Sequence, residues 1–225
     1  MSVEPIGVVT SVAAVLHQPN IDTDVIIRID RMVSTEPSVL APWAFEALRY
    51  NADGSENADF ILNRAPFDTA QILLAGSNFG CGSSREPAVW AIKGLGIRVV
   101  IAPSFGDIFR ANCHQNGLLP ITLDDEDVRS LAAIALSGQA LSVDLEARQI
   151  RAAGEHWAFA IGDSQRLALL QGLDDLDLAL RESDRIDSWE MNDRVSRPWA
   201  WPSLPPSPEA LPSEAIHRPV PERNP

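Results

Sequence analysis

The residues of this chain best suited to chemistry lie together in residues 76–86, which read Gly-Ser-Asn-Phe-Gly-Cys-Gly-Ser-Ser-Arg-Glu. Glycines permit a tight turn, two adjacent hydroxyls follow at Ser83 and Ser84, and Arg85 stands where a helix would begin. Free N–H groups and the helix dipole favour an anion there, and an arginine can bind a carboxylate through two parallel hydrogen bonds. The segment therefore predicts a cradle for a carboxylate or phosphate, in which a serine hydroxyl could also act as a base.

A purely structural interpretation of the same residues is also open. Ser83 or Ser84 could cap the helix, and Glu86 could be a first-turn acid that complements the helix dipole. The segment does not match the Walker A pattern, because no Gly-Lys-Ser/Thr follows, and it does not match G-x-G-x-x-G or the G-x-S-x-G nucleophile elbow. Composition and spacing leave the anion site and the capped helix as alternatives.

The flanking residues predict one strand–helix–strand unit of a parallel sheet. Residues 71–75 are an apolar run that predicts a strand buried on both faces, and residues 87–92 have the spacing of an apolar helix that glycines then end. Residues 97–102 are β-branched and apolar, and they would return parallel to the first strand. Because active-site loops of parallel sheets lie at the carboxyl ends of the strands, the glycine-rich segment would lie where ligands bind.

The rest of the chain predicts a mixed α/β domain with a smaller antiparallel layer. The acidic run at residues 124–127 predicts the start of a helix, where the dipole favours acids, rather than a metal site. Further strands are expected at residues 6–16, 118–123, 141–145 and 156–161, and helices at residues 38–50, 107–116, 164–170 and 174–189.

The composition of the 225-residue chain, 45% hydrophobic and 22% charged, is typical of a globular protein. A formal net charge of −13 argues against a nucleic-acid surface and against binding to anionic membranes. No apolar run approaches the roughly 18 residues of a membrane span, and the amino terminus lacks the basic segment of a signal peptide. We therefore expect a cytoplasmic protein that binds neither nucleic acid nor membrane.

The carboxyl-terminal end of the chain differs in composition from the rest. Nine of the 17 prolines lie from residue 198 onward. We expect one domain over residues 1–196, followed by a proline-rich tail over residues 197–225 that is disordered or forms an extended arm on a partner.

Five short motifs, in the same order and with matching spacing, resemble the small-subunit family of isopropylmalate dehydratases in the aconitase superfamily. They are Asp-Thr-Asp-Val-Ile-Ile at residues 22–27, Asn-Phe-Gly-Cys-Gly-Ser-Ser-Arg-Glu at 78–86, Val-Val-Ile-Ala-Pro-Ser-Phe-Gly-Asp-Ile-Phe at 99–109, Asn-Gly-Leu-Leu-Pro at 116–120 and Gly-Leu-Asp-Asp-Leu at 172–176. Each motif is short, but five in order make a chance match improbable.

This resemblance implies a swivelling β/β/α three-layer domain with a mainly parallel central sheet and a smaller antiparallel layer. It also implies a partner, a large subunit that holds a [4Fe-4S] cluster, in a heterodimer or larger assembly. The chain has only two cysteines, Cys81 and Cys113, and no C-x-x-C pair, so we expect it to bind no metal itself. Cys81 is expected to be a small packing residue of the loop.

The resemblance also implies roles for individual residues. Ser83 would be the base that removes and returns the substrate proton, and Ser84 and Arg85 would bind a substrate carboxylate. Asp24 would orient an acid–base histidine supplied by the large subunit. Asp22 is expected to shape the turn.

The implied reaction is a hydro-lyase isomerisation, which converts 2-isopropylmalate and 3-isopropylmalate into each other by dehydration and rehydration in leucine biosynthesis. Two alternatives stay open: the same chemistry on a related acid such as citramalate or homoaconitate, and a non-catalytic module that only binds carboxylates. Retention of Ser83 favours catalysis, because a binding module needs the arginine but not the base.

The chain departs from the family pattern at two places. Pro87 stands where the family usually has histidine. The family also usually has proline directly after the two isoleucines of the Asp-Thr-Asp motif, whereas this chain has Arg28 there and Arg31 three residues later. The two arginines could face solvent, or they could bind a substrate carboxylate and favour a different diacid or triacid.

Overall fold

Two four-stranded sheets organise the computed structural model, which describes residues 4–201. The strands are β1 Val8–Ser11, β2 Ala13–Leu16, β3 Ile72–Ala75, β4 Val99–Ala102, β5 Leu119–Thr122, β6 Leu141–Asp144, β7 Gln149–Ala152 and β8 Glu155–Ala158. One sheet is parallel, in the order β2-β3-β4-β5. The other is antiparallel, in the order β1-β6-β7-β8.

Helices connect the parallel strands and follow the antiparallel ones. The α-helices are α1 Thr23–Ile26, α2 Pro37–Leu40, α3 Glu46–Arg49, α4 Glu86–Gly94, α5 Asp107–Gln115, α6 Asp125–Leu136, α7 Asp163–Gln171, α8 Asp175–Leu180 and α9 Ser183–Ser196. Short 3-10 helices cover Ile29–Arg31, Ala41–Trp43, Ile61–Asn63, Phe67–Thr69 and Pro198–Ala200. Over residues 4–201, no helix has the length and apolar character needed to span a membrane.

The parallel sheet is the central layer, because both of its faces are buried. Alternate side chains of a strand point to opposite faces. Leu73 and Ala75 of β3 therefore lie in an apolar core with α4 and α5, whereas Ile72 and Leu74 lie in a second core with the antiparallel sheet and α6. This order of layers confirms the predicted β/β/α fold with a mainly parallel central sheet and a smaller antiparallel layer.

The predicted strand–helix–strand unit around the glycine-rich segment is confirmed. It consists of β3, α4 and β4, and the two strands pair in parallel with Ile72 opposite Val99. The glycine-rich loop leaves the carboxyl end of β3, as expected. The helix predicted over residues 107–116 is α5, and the acidic run begins α6, with three acids in its first turn.

The single strand predicted over residues 6–16 is wrong, because the structure contains two strands there in two different sheets. β1 alternates between exposed Val8 and buried Val9, as expected for a sheet with one solvated face. β2 buries both Ala13 and Ala14, as expected for a strand of a parallel sheet that is covered on both faces. Only Val12 separates them, so the chain crosses between layers without a turn signal in the sequence.

The helices predicted over residues 38–50 and 174–189 are interrupted. The first consists of α2, a 3-10 turn and α3, and Phe45 before α3 has a left-handed backbone with φ of 56°. The second consists of α8 and α9. Apolar spacing identified helical residues correctly in both places but did not reveal where each helix ends.

The chain divides into two compact units, one up to Leu178 and one from Ala179. The first unit contains both sheets and all the motifs that suggested chemistry. The predicted domain boundary at residue 196 stays a prediction.

In the second unit, the beginning of the predicted tail is folded. The buried carboxylate of Asp193 on α9 accepts hydrogen bonds from Arg197 Nε at 2.6 Å and from Trp201 Nε1 at 2.8 Å. Residues 197–201 are therefore held against α9. Residues 202–225, the rest of the predicted tail, lie outside the described residues.

Gly94 marks the closest approach of α2 to α4. A Cβ atom at this position would lie 2.1 Å from the carbonyl oxygen of Pro37 and 2.9 Å from Cβ of Ala41. Backbone atoms cannot move aside as the end of a flexible side chain can. The absence of a side chain at Gly94 therefore allows the two helices to pack on each other.

We predict that Gly94→Ala destabilises the protein, although alanine is intrinsically the better helix former by about 1 kcal/mol. The clash with α2 should outweigh that gain and lower the free energy of unfolding by about 1–3 kcal/mol, as overpacking does elsewhere. Gly7→Ala is the matched control, because a Cβ there meets nothing within 4 Å. Urea denaturation of the two variants decides the matter, and a Gly94→Ala variant as stable as the wild type would contradict the close contact.

Candidate active site

Three loops meet at the carboxyl edge of the parallel sheet: those after β2, β3 and β4. The loop after β3 is bonded on one side to the loop after β2. Gly80 N–H donates to the Ile21 carbonyl at 2.7 Å, and Thr23 N–H donates to the Cys81 carbonyl at 2.9 Å. Asp22 and Cys81 form an isolated parallel bridge there.

The loop after β4 holds the other side of the same loop. Phe79 N–H donates to the Ser104 carbonyl at 3.0 Å, and Gly106 N–H donates back to the Phe79 carbonyl at 2.9 Å. Asn78 N–H donates to Ser104 Oγ at 2.8 Å. The glycine-rich loop is thus a short extension of the sheet, bonded on both sides before the chain reaches the two serines.

Tight packing explains the glycine at position 106 of this junction. A Cβ atom on Gly106 would lie 2.5 Å from the carbonyl oxygen of Gly80. Beneath the loop, Phe79 packs edge-on against Phe105 and Phe109, with ring centroids 6.5 and 5.5 Å away. The backbone of the loop therefore rests on an aromatic cluster and has little freedom to move toward the core.

Ser83 and Ser84 follow this anchored stretch, and both are exposed. Within residues 4–201, neither hydroxyl makes a hydrogen bond, whereas the Ser83 carbonyl accepts one from Thr23 Oγ1 at 3.1 Å. The alternative in which a serine caps the helix is wrong, because α4 begins at Glu86 and its N-cap residue is Arg85, without a side-chain cap. The backbone is held and both hydroxyls are free for a ligand.

Arg85 and Asp24, two of the predicted site residues, are brought together in an ion pair. The Arg85 side chain is only 15% exposed, whereas Asp24 is 55% exposed. Asp22 caps α1 by accepting a hydrogen bond from Val25 N–H at 2.8 Å, which confirms its expected role in the turn. α1 thereby presents Asp24 to the arginine, and a guanidinium with five N–H donors keeps others for a second anion.

The structure gives Arg31 partners within the protein. Its guanidinium binds the Glu46 carboxylate through Nε at 3.0 Å and Nη2 at 2.6 Å, and it lies 3.9 Å from the Trp43 ring centroid. Hydrogen bonding between the two side chains lowers the pKa of Glu46 and raises the pKa of Arg31. The Nε–Nη2 fork of Arg31 is thus occupied by Glu46.

Arg28 is more exposed than Arg31 and pairs with its neighbour Asp30, through Nε and Nη2 at 3.1 Å each. It lies at the rim of a cleft of about 670 Å³ with Trp43 and Tyr50 in its wall. Neither Ser83 nor Arg85 lines this cleft. The structure thus pairs Arg85, which directly follows Ser83 and Ser84, with Asp24, whereas Arg28 and Arg31 pair with Asp30 and Glu46.

The side chains able to bind metals are scattered. Cys81 is half-buried in the loop, and Cys113 is fully buried, which raises the pKa of its thiol well above the usual value. Burial, with a contribution from Arg110, lowers the pKa of His114 to about 4, so its imidazole is neutral at physiological pH. Over residues 4–201, no three His, Cys, Asp or Glu residues are arranged to hold a metal ion. These residues do not fit an iron–sulfur cluster.

Sequence reasoning missed the residues that hold the loop from behind. Thr23 is almost completely buried and positions the Ser83 carbonyl, and Ser104 binds the loop backbone with both its hydroxyl and its carbonyl. Both residues lie within motifs that had been noticed, Asp-Thr-Asp and Pro-Ser-Phe-Gly. Their positions in these motifs could have indicated a role at the site, but only the fold shows that the two motifs lie next to the glycine-rich loop.

The comparisons with known proteins agree with this architecture. The Aconitase C-terminal domain family matches residues 12–126. The 3-isopropylmalate dehydratase small subunit of Mesorhizobium japonicum is 47% identical over 194 residues, which cover 85% of this chain and 96% of that protein. The protein of the same name from Rhodospirillum centenum is 46% identical over 200 residues, or 88% of this chain and 98% of that one.

A solved structure is also similar. The crystal structure of 3-isopropylmalate dehydratase (leuD) from Methanocaldococcus jannaschii superposes with a TM-score of 0.60 at 28% identity, covering 80% of this chain and 99% of that one. Both the relatives and the fold thus match along nearly their whole length. The chain belongs to the family of 3-isopropylmalate dehydratase small subunits, within the aconitase superfamily.

Proposed function

We propose that this chain is the small subunit of a hydro-lyase that isomerises 2-isopropylmalate and 3-isopropylmalate in leucine biosynthesis. Its catalytic part is the glycine-rich loop of residues 76–86, which we call the signature loop. The relatives named 3-isopropylmalate dehydratase small subunit match 85–88% of this chain. The observation that supports the catalytic role is the free, exposed hydroxyl of Ser83 on an anchored backbone, two residues from a largely buried arginine.

In this proposal Ser83 is the base. The reaction removes a proton from a carbon next to a carboxylate, forms a C=C bond and expels the hydroxyl from the neighbouring carbon, which leaves as water with a proton from the acid–base histidine that we assign to the large subunit. Rehydration then returns the proton from Ser83 and places the hydroxyl on the other carbon. A serine needs its alkoxide stabilised for this task, and the nearby positive charge of Arg85 favours it.

Arg85 and Ser84 bind the substrate carboxylate next to the reacting carbon. Negative charge develops on that carboxylate as the proton leaves, so a cation there stabilises the transition state more than the ground state. Asp24 has two tasks in the proposal. It holds the Arg85 guanidinium through their ion pair, and its exposed side receives an acid–base histidine from the large subunit.

The large subunit must also supply the group that removes the hydroxyl, because the described residues of this chain do not fit a metal site. We assign a [4Fe-4S] cluster to that subunit, where a bound cluster would serve as the Lewis acid. The exposed edge with Ser83 and Asp24 would then face the partner. The proposed active site is complete only in the assembled enzyme.

Arg28 and Arg31 have partners within the protein. Arg31 binds Glu46 and lies on Trp43, and Arg28 binds Asp30. These pairs do not by themselves separate a diacid from a triacid, because Arg85 is also paired, with Asp24, and is still assigned to a carboxylate. The choice of isopropylmalate rests on the named relatives, and a substrate-binding role for Arg28 or Arg31 stays a prediction.

We predict that Ser83→Ala in the assembled enzyme lowers kcat/KM for isopropylmalate by about 10²–10⁴-fold, the usual value of a general base. Assembly with the large subunit and its iron content should not change, because the Ser83 hydroxyl has no bond within the described residues. Anaerobic assays of the unsaturated acid by absorbance, with iron analysis and gel filtration, measure all three. Near-normal turnover would show that another group is the base.

We predict that Arg85→Lys chiefly raises KM, by about tenfold or more, because an ammonium cannot bind Asp24 and a substrate carboxylate with the same fork. Arg151→Lys on β7 of the antiparallel sheet is the control, since its side chain is exposed and, among the described residues, bonds only to Gln149. Steady-state kinetics with isopropylmalate separates KM from kcat. An unchanged KM in Arg85→Lys would remove the arginine from the substrate site.

A further inference from the structure

Asn116, the residue that ends α5, binds α4 through both its side chain and its backbone. Its Oδ1 accepts a hydrogen bond from Trp90 Nε1 at 2.7 Å, and its Nδ2 donates to Glu86 Oε1 at 2.8 Å. The same Nδ2 donates to the Asn112 carbonyl of its own helix at 2.9 Å. Its carbonyl accepts a bond from the ammonium of Lys93. Four groups thus converge on one residue.

The three partners on α4 form a single stripe. Glu86, Trp90 and Lys93 have the spacing i, i+4, i+7, which places them on one face of a helix. Glu86 is the first residue of α4, and Lys93 lies in its last turn. Asn116 therefore binds this helix along nearly its whole length and fixes its rotation about its own axis.

That rotation matters because the proposed site begins directly before α4. Arg85 is the N-cap residue of the helix, so a turn or slide of α4 would move the guanidinium away from Asp24. α5 is anchored independently at its other end, where Gly106 N–H bonds to Phe79 in the signature loop. Asn116 at the end of α5 thus holds Glu86 at the start of α4 in position.

We propose that Glu86 and Asn116 are positioning residues, whose hydrogen bond sets Arg85 and the two serines in the geometry that substrate binding needs. This inference rests on the proposed function of the loop. It gives the Asn-Gly-Leu-Leu-Pro motif a task at the site, although Asn116 lies at the opposite end of α5 from the signature loop. It also distinguishes the hydrogen-bonding role of Glu86 from that of an acid that only complements the helix dipole.

The deciding variants are Glu86→Ala and Glu86→Gln in the assembled enzyme. The glutamine keeps an oxygen that can accept from Asn116 Nδ2, whereas the alanine does not. We expect Glu86→Ala to lower kcat/KM for isopropylmalate by about tenfold, mainly through KM, since small displacements of binding groups are costly. Glu86→Gln should stay within about twofold of the wild type.

Glu126→Ala is the matched control, because Glu126 is also an exposed first-turn acid but belongs to α6. It should leave KM and kcat unchanged. A loss in Glu86→Gln as large as in Glu86→Ala would mean that only the charge of Glu86 matters, and an unchanged KM in Glu86→Ala would mean that the contact is not needed. Either result overturns the inference and leaves the proposed function intact.

A second readout does not depend on turnover. In the isolated small subunit, the rate at which the half-buried Cys81 reacts with a thiol reagent reports on the mobility of the loop, while the buried Cys113 reacts slowly. Glu86→Ala should raise the Cys81 rate several-fold, and Glu86→Gln and Glu126→Ala should not. If the wild-type complex does not turn over isopropylmalate, the proposed function fails. Equal Cys81 rates in all variants would refute only the positioning role.

Discussion

The structure depends on backbone hydrogen bonds that hold one glycine-rich loop between two others at the edge of the parallel sheet. Because the loop bonds to Ile21 on one side and to Ser104 on the other, it behaves as a continuation of the sheet. The chain therefore reaches Ser83 from a rigid support, and the hydroxyls need no bonds of their own to stay in place. Preorganisation of this kind is the main source of catalytic power in sites that stabilise developing charge.

The proposed site has a local positive charge, although the protein as a whole is negatively charged. The chain has a net charge of −13, yet the proposed site places a largely buried Arg85 beside the loop and the exposed Asp24 on the outer side. A carboxylate substrate meets that local charge rather than the distant acids, which water and salt screen. We propose Ser83 as the base and Arg85 as the anion clamp of this site, and no three His, Cys, Asp or Glu residues within residues 4–201 are arranged to hold a metal ion. In the proposed function, the large subunit supplies the remaining groups of the active site.

Much of the fold follows from sequence patterns, and the failures have physical causes. Residues 71–102 show an apolar strand, a glycine loop and a helix in order, so the central unit was predicted correctly. The crossing at Val12 has no signature, because both sheets accept the same apolar residues. The pairing of Arg31 with Glu46 and the contact of Asn116 with Glu86 join residues 15 and 30 positions apart. Local patterns contain no information about such pairs, and only the folded chain brings them together.

We propose that this chain completes an active site for isopropylmalate, a diacid with an apolar branch. The most direct measurement is made under anaerobic conditions with the small subunit, the large subunit with its cluster rebuilt, and their mixture. Each is assayed with isopropylmalate, citramalate and homocitrate by the absorbance of the unsaturated acid. We expect turnover only in the mixture and a clear preference for isopropylmalate. Preference for homocitrate, or no turnover by the mixture with any of the three acids, would contradict it.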